Sequence, residues 1–316
     1  MSNPSKDGIS APLVRLEAAL SRLDALINWE KRARSRGPSG MEVSLAPIHG
    51  LCASLGSPER ALRAVHVAGS KGKGTTATWV ASALTAAGLR VGCYRSPHVA
   101  CVTERLTIGA AEVDPERFAI ALERALDARD AAPRTSAVAE ATWFDVLTAA
   151  SFLILAEERV ELAVIECGLG GRLDSTNVVH GTVAAITNIY LEHTQVLGTT
   201  RAAIAAEKAG IIKPGARVVV GALGPDDEAE RVIADVARAR GASLVRIEHA
   251  PAATLVERNR RFSAAILREL ERAEPELARR TGGFERWLST AVPLPGRAER
   301  RRRAGVRVVL DGAHVP

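Results

Sequence analysis

The sequence predicts an α/β protein with a doubly wound, mostly parallel sheet. Short apolar runs of strand length alternate with helical segments along the chain, which is typical of parallel strands that helices cover on both faces. Aromatic residues make up only 3% of the 316 residues, and the apolar residues are mainly Ala, Val, Leu and Ile. This composition favours a helix-rich α/β protein over a β-sandwich, and the length suffices for one large or two ordinary domains.

The first half of the chain predicts helices and strands around a glycine-rich stretch. Apolar residues at helical spacing predict an amphipathic helix over 12–28. The apolar run 65–68 predicts a strand, and after the glycines residues 75–88 predict a helix. A second strand is predicted over 91–96, followed by a long, largely buried helix over 141–159.

The second half of the chain continues the alternation. Apolar runs over 161–168 and 182–189 predict strands that are buried on both faces. Two more strands are predicted over 216–221 and 243–247, with a helix over 227–241 between them. These elements complete the pattern of a doubly wound sheet.

The sequence becomes more charged after residue 250. Residues 257–280 predict a charged helical segment, and residues 293–305 predict a loop in which the basic run 300–303 forms a solvated turn. Residues 306–310 predict one more strand. We expect this strand to be exposed, because no partner strand is predicted beside it.

Charge and composition narrow the class of partner. The net charge of +6 indicates either an arginine-rich composition or an anionic partner. Nucleic-acid-binding proteins usually combine a basic face with stacking aromatic residues, so we favour a small anionic substrate such as a nucleotide and expect no nucleic-acid partner. The four cysteines form no C-x-x-C pair, which indicates reduced thiols. Without a signal peptide or a long apolar run, we expect a cytoplasmic protein with no membrane contact.

The stretch HVAGSKGKGTTATWVASAL, residues 66–84, resembles a phosphate-binding loop. It differs from the usual G-x-x-x-x-G-K-[ST] pattern because Gly74 stands between Lys73 and Thr75. Glycines allow backbone N–H groups to point inward at a helix start, Lys73 adds a positive charge, and a threonine hydroxyl can bind Mg²⁺. The alternative is a glycine-rich turn that only connects a strand to a helix.

Three further side chains follow predicted strands or lie on a short predicted helix. Glu166 ends one strand, His193 follows the next, and Lys208 lies on the helix. Because the carboxyl ends of parallel strands meet at one edge of a sheet, we expect Thr75, Glu166 and His193 to converge there. Oxygen and nitrogen ligands of this kind suit Mg²⁺ that shares its coordination with a nucleotide. Considered singly, Glu166 and His193 are better explained as hydrogen-bonded strand-end residues, and Lys208 as a surface lysine on a helix.

Several motifs accompany the loop GSKGKGT at 69–75. They are LGSP at 55–58, SPHVACVTERLTIG at 96–109, GLGGRLDSTN at 168–177, AAEKAGIIKPG at 205–215, PGR at 295–297 and LDGAH at 310–314. In this set and order the chain resembles the folylpolyglutamate synthase/dihydrofolate synthase family of the Mur ligase superfamily. The family's loop also has a glycine between the lysine and the hydroxyl residue. Val315 departs from the family's D-G-A-H-N-P ending.

The resemblance implies roles around the nucleotide. The residues implied to bind ATP are Lys71, Gly72, Lys73, Gly74, Thr75, Asn259, Arg297 and Asp311. Two Mg²⁺ ions are implied, with Thr75, Glu166, His193 and a carbamylated Lys208 as ligands or support. Lys73, His193 and Lys208 are the implied catalytic residues. For Asn259, a solvated helix start is the alternative.

The resemblance also implies an acceptor site for dihydropteroate or a folate. Its residues are Ser96, Pro97, His98, Thr142, Phe144, Asp145, Leu173, Asp174 and Ser175. Either Phe144 or Trp143 offers a flat face to the pterin, or both are ordinary core aromatics.

The activity implied is ATP-dependent ligation of L-glutamate to dihydropteroate or a folate through an acyl phosphate. The family's pattern divides the chain into a Mur-ligase-like ATP-binding central domain at 1–295, and a linker with the first strand of a truncated C-terminal ligase domain at 296–316. We expect a monomer. The alternatives are a non-catalytic nucleotide-binding remnant and a Mur-type ligase of peptidoglycan precursors, which would share the loop but not SPH or GLGGRLDSTN.

Overall fold

A computed structural model describes residues 11–28, 44–223, 227–248, 254–291, 299–303 and 305–310. Within these residues one sheet has eight strands. They are β1 Ala64–Ala68, β2 Val91–Tyr94, β3 Leu106–Ile108, β4 Ala111–Glu112, β5 Leu162–Glu166, β6 Gly181–Ile186, β7 Arg217–Val220 and β8 Ser243–Arg246.

The strand order in this sheet is β4-β3-β2-β5-β1-β6-β7-β8. The pairs from β2 through β8 are all parallel, whereas β3 and β4 add an antiparallel edge beyond β2. The predicted fold class, a doubly wound and mostly parallel sheet, is therefore confirmed. The antiparallel edge was not predicted, because its strands have only three and two residues.

Helices cover both faces of the sheet. They are α1 Ala11–Asp24, α2 Ala46–Ser54, α3 Lys73–Ala86, α4 Pro115–Asp130, α5 Trp143–Glu157, α6 Thr194–Leu197, α7 Arg201–Ala209, α8 Glu228–Ala239, α9 Leu255–Ala273 and α10 Pro275–Thr281. Apolar residues of α1, α2, α4 and α5 form one core cluster, and those of α7 and α8 form a second. The third cluster joins α3, α9 and α10 to the other face.

The predicted elements agree with the observed ones to within a few residues at their ends. The charged segment 257–280 contains two helices, because α9 ends before Pro275 and Pro275 begins α10. Helices α2 and α4 were not predicted. For α4 a start signal was present, since Asp114 caps the helix and accepts hydrogen bonds from the N–H groups of Glu116 and Arg117, with Pro115 as first helical residue.

The loop predicted over 293–305 is wrong for residues 299–303. They form a strand, β9 Glu299–Arg303, that pairs antiparallel with β10 Val306–Leu310. The predicted strand 306–310 therefore has a partner, and the basic run is not a turn. Gly305 adopts φ 81° between the two strands, a conformation that suits a tight hairpin. Backbone hydrogen bonds pair the two strands although Arg302 and Arg307 lie opposite each other.

No helix in the described ranges is long and apolar enough to cross a membrane.

Helix α4 provides a test of the core. Phe118 is fully buried, while Ile120 on the same helix is 36% exposed. We expect Phe118→Ala to lower the free energy of unfolding by about 3–5 kcal/mol, because it leaves a cavity in the core beside α1 and α5. The control Ile120→Ala should cost about 1 kcal/mol or less. Urea unfolding measures both, and equal losses would contradict this packing.

Candidate nucleotide and metal site

The glycine-rich loop lies at the centre of one sheet edge. It connects β1, which is flanked by β5 and β6, to helix α3. Glu166 is the last residue of β5, and the segment that carries His193 follows β6. These strands are parallel, so Glu166 and the segment that carries His193 lie at the same edge of the sheet as the loop. The convergence of the Thr75, Glu166 and His193 side chains stays a prediction.

The chain that follows β6 holds the phosphate loop in its conformation. Asn188 accepts a hydrogen bond from the Lys71 N–H at 2.8 Å, and its carbonyl accepts one from the Ser70 N–H at 3.0 Å. The Thr187 hydroxyl donates to the Lys71 carbonyl at 2.6 Å. A Cβ at position 69 would lie 1.9 Å from Thr187 Oγ1, so Gly69 is required for this close approach.

Gly74, the residue that departs from the usual pattern, lies against the Glu166 carboxylate. A Cβ at position 74 would be 3.2 Å from Glu166 Oε2. The same oxygen accepts a hydrogen bond from the Ser96 N–H at 3.2 Å, and Glu166 is only 4% exposed. The additional glycine therefore makes room for a buried carboxylate beside the start of α3.

Lysine side chains converge on the phosphate loop. The Lys208 ammonium donates to the Gly69 carbonyl at 2.9 Å and to Glu192 Oε1 at 3.1 Å. Lys73 donates to the same carbonyl at 3.0 Å, and Lys71 Nζ lies 3.6 Å from Glu192 Oε2. Lys208 is 1% exposed, so it is no ordinary surface lysine.

Burial and neighbouring charges change the ionisation of this group. Burial and then Lys73 lower the pKa of Lys208, while Glu192 opposes them. Burial alone would raise the pKa of Glu192, but Lys208 and Lys73 outweigh it, and the pKa is lowered. Partial desolvation lowers the pKa of His193, opposed by Glu192 and reinforced by the lysines. The site thus concentrates positive charge around one carboxylate, and this surplus suits an anionic ligand.

The metal ligands predicted from the sequence fit a site that a nucleotide completes. In the described part of the chain, no three His, Cys, Asp or Glu side chains form a cluster that could hold a metal by themselves. Glu166 nevertheless brings a buried carboxylate to the loop that contains Thr75. Mg²⁺ commonly takes one or two protein oxygens and completes its coordination with phosphate oxygens and water. The roles of Thr75, Glu166 and His193 as ligands stay predictions.

One further predicted nucleotide contact lies beside the loop. Asn259 of α9 places its Oδ1 3.1 Å from the position that a Cβ on Gly72 would take. The predicted ATP contacts Arg297 and Asp311, and the departure at Val315, lie outside the described residues.

Residues of the predicted acceptor site form a hydrogen-bonded group at the start of α5. Thr142 and Asp145 cap the helix reciprocally. The second oxygen of Asp145 accepts a hydrogen bond from the Ser175 hydroxyl at 2.6 Å. Ser175 belongs to residues 168–177, which we call the acceptor loop. In this structure Thr142, Asp145 and Ser175 join that loop to α5, and contact with substrate stays a prediction.

The two aromatic candidates have different environments. Trp143 is 3% exposed, and its ring N–H donates to Asp24 Oδ1 at 2.8 Å, so it is a core residue. Phe144 is only partly buried, and its ring lies 2.7 Å from the position of a Cβ on Gly168 in the acceptor loop. Of the two, Phe144 is therefore better placed to offer a face to a ligand.

The SPH segment lies between the carboxylate of Glu166 and a buried arginine. Arg105 is 2% exposed, and its guanidinium lies 4.9 Å from the centre of the Trp143 ring. Its Nε donates to His98 Nδ1 at 2.8 Å. Ser96 is bonded to Glu166 as described, and Pro97, which follows a cis peptide bond, is exposed. The segment thus adjoins both the metal candidate Glu166 and the core under α5.

Asp174 organises the acceptor loop from within. It is 6% exposed and accepts hydrogen bonds from the N–H groups of Leu169 at 2.8 Å and Thr176 at 3.0 Å. Burial raises the pKa of Asp174 although these donors oppose it. Its neighbour Leu173 is partly exposed at the surface of the loop.

Comparison with known proteins decides the family. Residues 67–267 match the Mur ligase middle domain. The dihydrofolate synthase/folylpolyglutamate synthase of Escherichia coli is 30% identical over 313 residues, an alignment that covers 92% of this chain and 70% of the relative. The chain belongs to the folylpolyglutamate synthase/dihydrofolate synthase family.

The alignments with other family members cover less of their length. The dihydrofolate synthase/folylpolyglutamate synthase of Bacillus subtilis is 38% identical over 188 residues, which is 59% of this chain and 44% of that protein. The folylpolyglutamate synthase of Lacticaseibacillus casei is 37% identical, over 45% of its length. The chain therefore spans about half the length of these curated relatives.

Solved structures of the family share the fold. Escherichia coli FolC in complex with DHPP and ADP has a TM-score of 0.77 and 29% identity, over 95% of this chain and 71% of that one. A bifunctional folylpolyglutamate synthase/dihydrofolate synthase with Mn, AMPPNP and L-glutamate bound has a TM-score of 0.75 and 30% identity, over the same shares.

The family resemblance did not reveal every residue that shapes this site. Glu192, Asn188 and Arg105 were not predicted as site residues. Glu192 and Asn188 lie in the same segment after β6 as His193, so their position beyond a buried strand was an available signal. Arg105 lies within the motif at 96–109, but only its contacts with Trp143 and His98 show where its guanidinium lies.

Gly74 offers a direct test of the nucleotide site in this family member. We expect Gly74→Ala to lower affinity for the Mg²⁺ complex of a non-hydrolysable ATP analogue about tenfold, because the added Cβ would lie 3.2 Å from Glu166 Oε2 and this buried carboxylate would have to shift. Calorimetric titration measures this affinity.

Gly88→Ala is the matched control at the other end of α3. Gly88 has φ 89° and open space around it, so alanine there should cost about 1–2 kcal/mol of stability and leave nucleotide affinity unchanged. Equal affinities for both variants and the wild type would contradict the role assigned to Gly74.

Proposed function

We propose that this protein ligates L-glutamate to dihydropteroate or a folate in an ATP-dependent reaction. The named relatives support this substrate class, since the similar structures contain DHPP with ADP in one case and AMPPNP with L-glutamate in another. A third similar structure is a complex of FPGS with AMPPCP and folate, with 26% identity and a TM-score of 0.78.

The observation that carries the proposal is the contact between Gly74 and Glu166. It brings a buried carboxylate to the phosphate loop and, through the Ser96 N–H, to the segment predicted to bind the acceptor. Amide ligation through an acyl phosphate needs the terminal phosphate of ATP and the acceptor carboxylate to meet. A shared carboxylate between the two segments suits that requirement.

The chain's own residues would contribute positioning and charge. The N–H groups at the start of α3 and the ammonium of Lys73 would stabilise the negative charge that develops on the transferred phosphoryl group. Lys71 would also stabilise this negative charge once a phosphate competes with Glu192, its present partner, for its ammonium group. Phe144 and the acceptor loop would hold the pterin.

Divalent metal completes the proposed site. Mg²⁺ held by Thr75, Glu166 and His193 would offset the repulsion between the phosphate and the acceptor carboxylate. We further propose two ions and carbamylation of Lys208, which would turn a cation into an anion beside the second. The lowered pKa of Lys208 supports this step, because only a neutral amine reacts with carbon dioxide.

Glutamate-dependent ADP release tests the function. With Mg²⁺, ATP and L-glutamate present, we expect release to require either dihydropteroate or tetrahydrofolate, and the better acceptor identifies the preferred substrate. Glu166→Gln should lower the rate about 100-fold or more, since it removes a metal-binding charge. ATP binding without acceptor-dependent ADP release would contradict the ligase and favour the nucleotide-binding remnant.

Glu230→Gln is the matched control for that experiment. Glu230 lies on α8, and its carboxylate pairs with Arg246 of β8, the strand at the far edge of the sheet. Its rate should stay close to that of the wild type. An equal loss in both variants would indicate general damage to the fold rather than a role of Glu166.

Carbamylation of Lys208 can be detected separately. With carbon-13-labelled bicarbonate, we expect a carbamate resonance in the NMR spectrum that Lys208→Arg abolishes. Lys213→Arg is the control, because burial also lowers the pKa of Lys213 although its ammonium binds Asn177 at the end of the acceptor loop and not the phosphate loop. A resonance that persists in Lys208→Arg, or that disappears in Lys213→Arg, would contradict the assignment.

A further inference from the structure

A histidine occupies the strand that leads into the phosphate loop. His66 of β1 is 0% exposed, while its neighbours Val65 and Val67 are apolar. Burial, followed by the charge of Lys213, lowers its pKa to about 3, so the ring is neutral. Its Nδ1 has no hydrogen-bond partner within the part of the chain that the structure describes. Because a buried polar atom without a partner is destabilising, the packing of the strand alone does not explain this residue.

The other ring nitrogen links β1 to the acceptor loop. Nε2 of His66 lies 2.9 Å from the Thr176 hydroxyl and 3.0 Å from the sulfur of Cys167. The Thr176 hydroxyl is in turn hydrogen-bonded to Asp174 Oδ1. The Asp174 carboxylate also accepts the N–H of Leu169 at the other end of the loop. A continuous chain of hydrogen bonds therefore joins the central strand to both ends of the acceptor loop.

The direction of these bonds follows from the number of protons available. A threonine hydroxyl has one proton to donate, and the buried Asp174 carboxylate is the stronger acceptor. Thr176 therefore donates to Asp174, which leaves its own oxygen to accept the proton from Nε2 of His66. In this arrangement Nδ1 of His66 carries a lone pair and no proton, and a buried lone pair without a partner is less costly than a buried N–H without one.

We infer that His66 is a positioning residue that holds the acceptor loop in register with the phosphate loop on the same strand. It acts through Thr176 and Asp174 and touches neither substrate. The phosphate loop itself does not depend on this chain of bonds, since Asn188 and Thr187 hold it from β6. The inference rests on the proposed function insofar as the loop 168–177 binds the acceptor.

Substitution of His66 separates acceptor binding from nucleotide binding. In His66→Leu, KM for the acceptor should rise about fivefold to tenfold, the ratio that one buried hydrogen bond is worth, while KM for ATP and kcat stay within about twofold. In His66→Gln the amide nitrogen occupies the position of Nε2, so acceptor KM should return close to the wild-type value. Equal KM values for the two variants, or a parallel loss of ATP binding, would overturn the inference.

Thr176→Val removes the same link from the other end with almost no change in shape. It should reproduce the effect of His66→Leu, and the double variant should be no worse than either single one, because both interrupt one chain of bonds. Additive effects of the two substitutions would overturn the inference. This second variant also keeps the test decisive if leucine at position 66 prevents folding.

Hydrogen exchange tests the positioning role without any ligase activity. The amides of Leu169 and Thr176, which donate to Asp174, should exchange faster in His66→Leu and Thr176→Val than in His66→Gln, while the Lys71 amide of the phosphate loop should not change. If the wild type released no ADP with either acceptor, the proposed function would fail, but this exchange pattern would still support or overturn the role of His66. Unchanged exchange at both loop amides would overturn it.

Discussion

Parallel pairing of β5, β1 and β6 is the constraint on which the site depends. In this register Val67 of β1 lies opposite Glu166 on one side and Ala185 on the other. Three strands therefore end at nearly the same level, and the segments that follow them meet above one edge of the sheet. A shift of β5 along β1 would separate the Glu166 carboxylate from Gly74, and a shift of β6 would move Thr187 and Asn188 away from Lys71.

Lysine side chains outnumber their acidic partners around the phosphate loop, and this excess suits the proposed chemistry. Lys71, Lys73 and Lys208 approach one carboxylate, Glu192, and one carbonyl, that of Gly69. Burying Lys208 has a large desolvation cost, which its lowered pKa reflects. Lys71 and Lys73 remain at the phosphate loop when Lys208 is carbamylated as proposed, so a triphosphate would still meet lysine side chains there.

The acceptor loop is held from two directions, and one of the two supports comes from β1, the strand that leads into the phosphate loop. Ser175 bonds to Asp145 at the start of α5, and Thr176 links Asp174 to His66 of β1. These are short polar contacts inside an otherwise apolar core. Such contacts define one geometry more sharply than apolar packing does, because an unpaired buried polar group is costly.

Local pattern was sufficient for most of the parallel strands, for the helices between them and for the glycine-rich loop, because apolar period, helix caps and motif spacing are properties of neighbouring residues. It missed α2, α4 and the short strands β3 and β4, and the ligand roles of Thr75, Glu166 and His193 stay predictions. It was not sufficient for the hairpin of β9 and β10, where an arginine run forms a strand through backbone pairing that its side chains do not signal.

The burial of Lys208, its pairing with Glu192, the guanidinium of Arg105 against Trp143 and the link from His66 to Thr176 emerged only from the folded chain. Each of these contacts joins residues from separate elements, and the separation reaches 110 positions for His66 and Thr176. The sequence alone therefore indicated which residues are candidates for the site. Their contacts were decided only by the tertiary fold, because the sheet brings distant segments together.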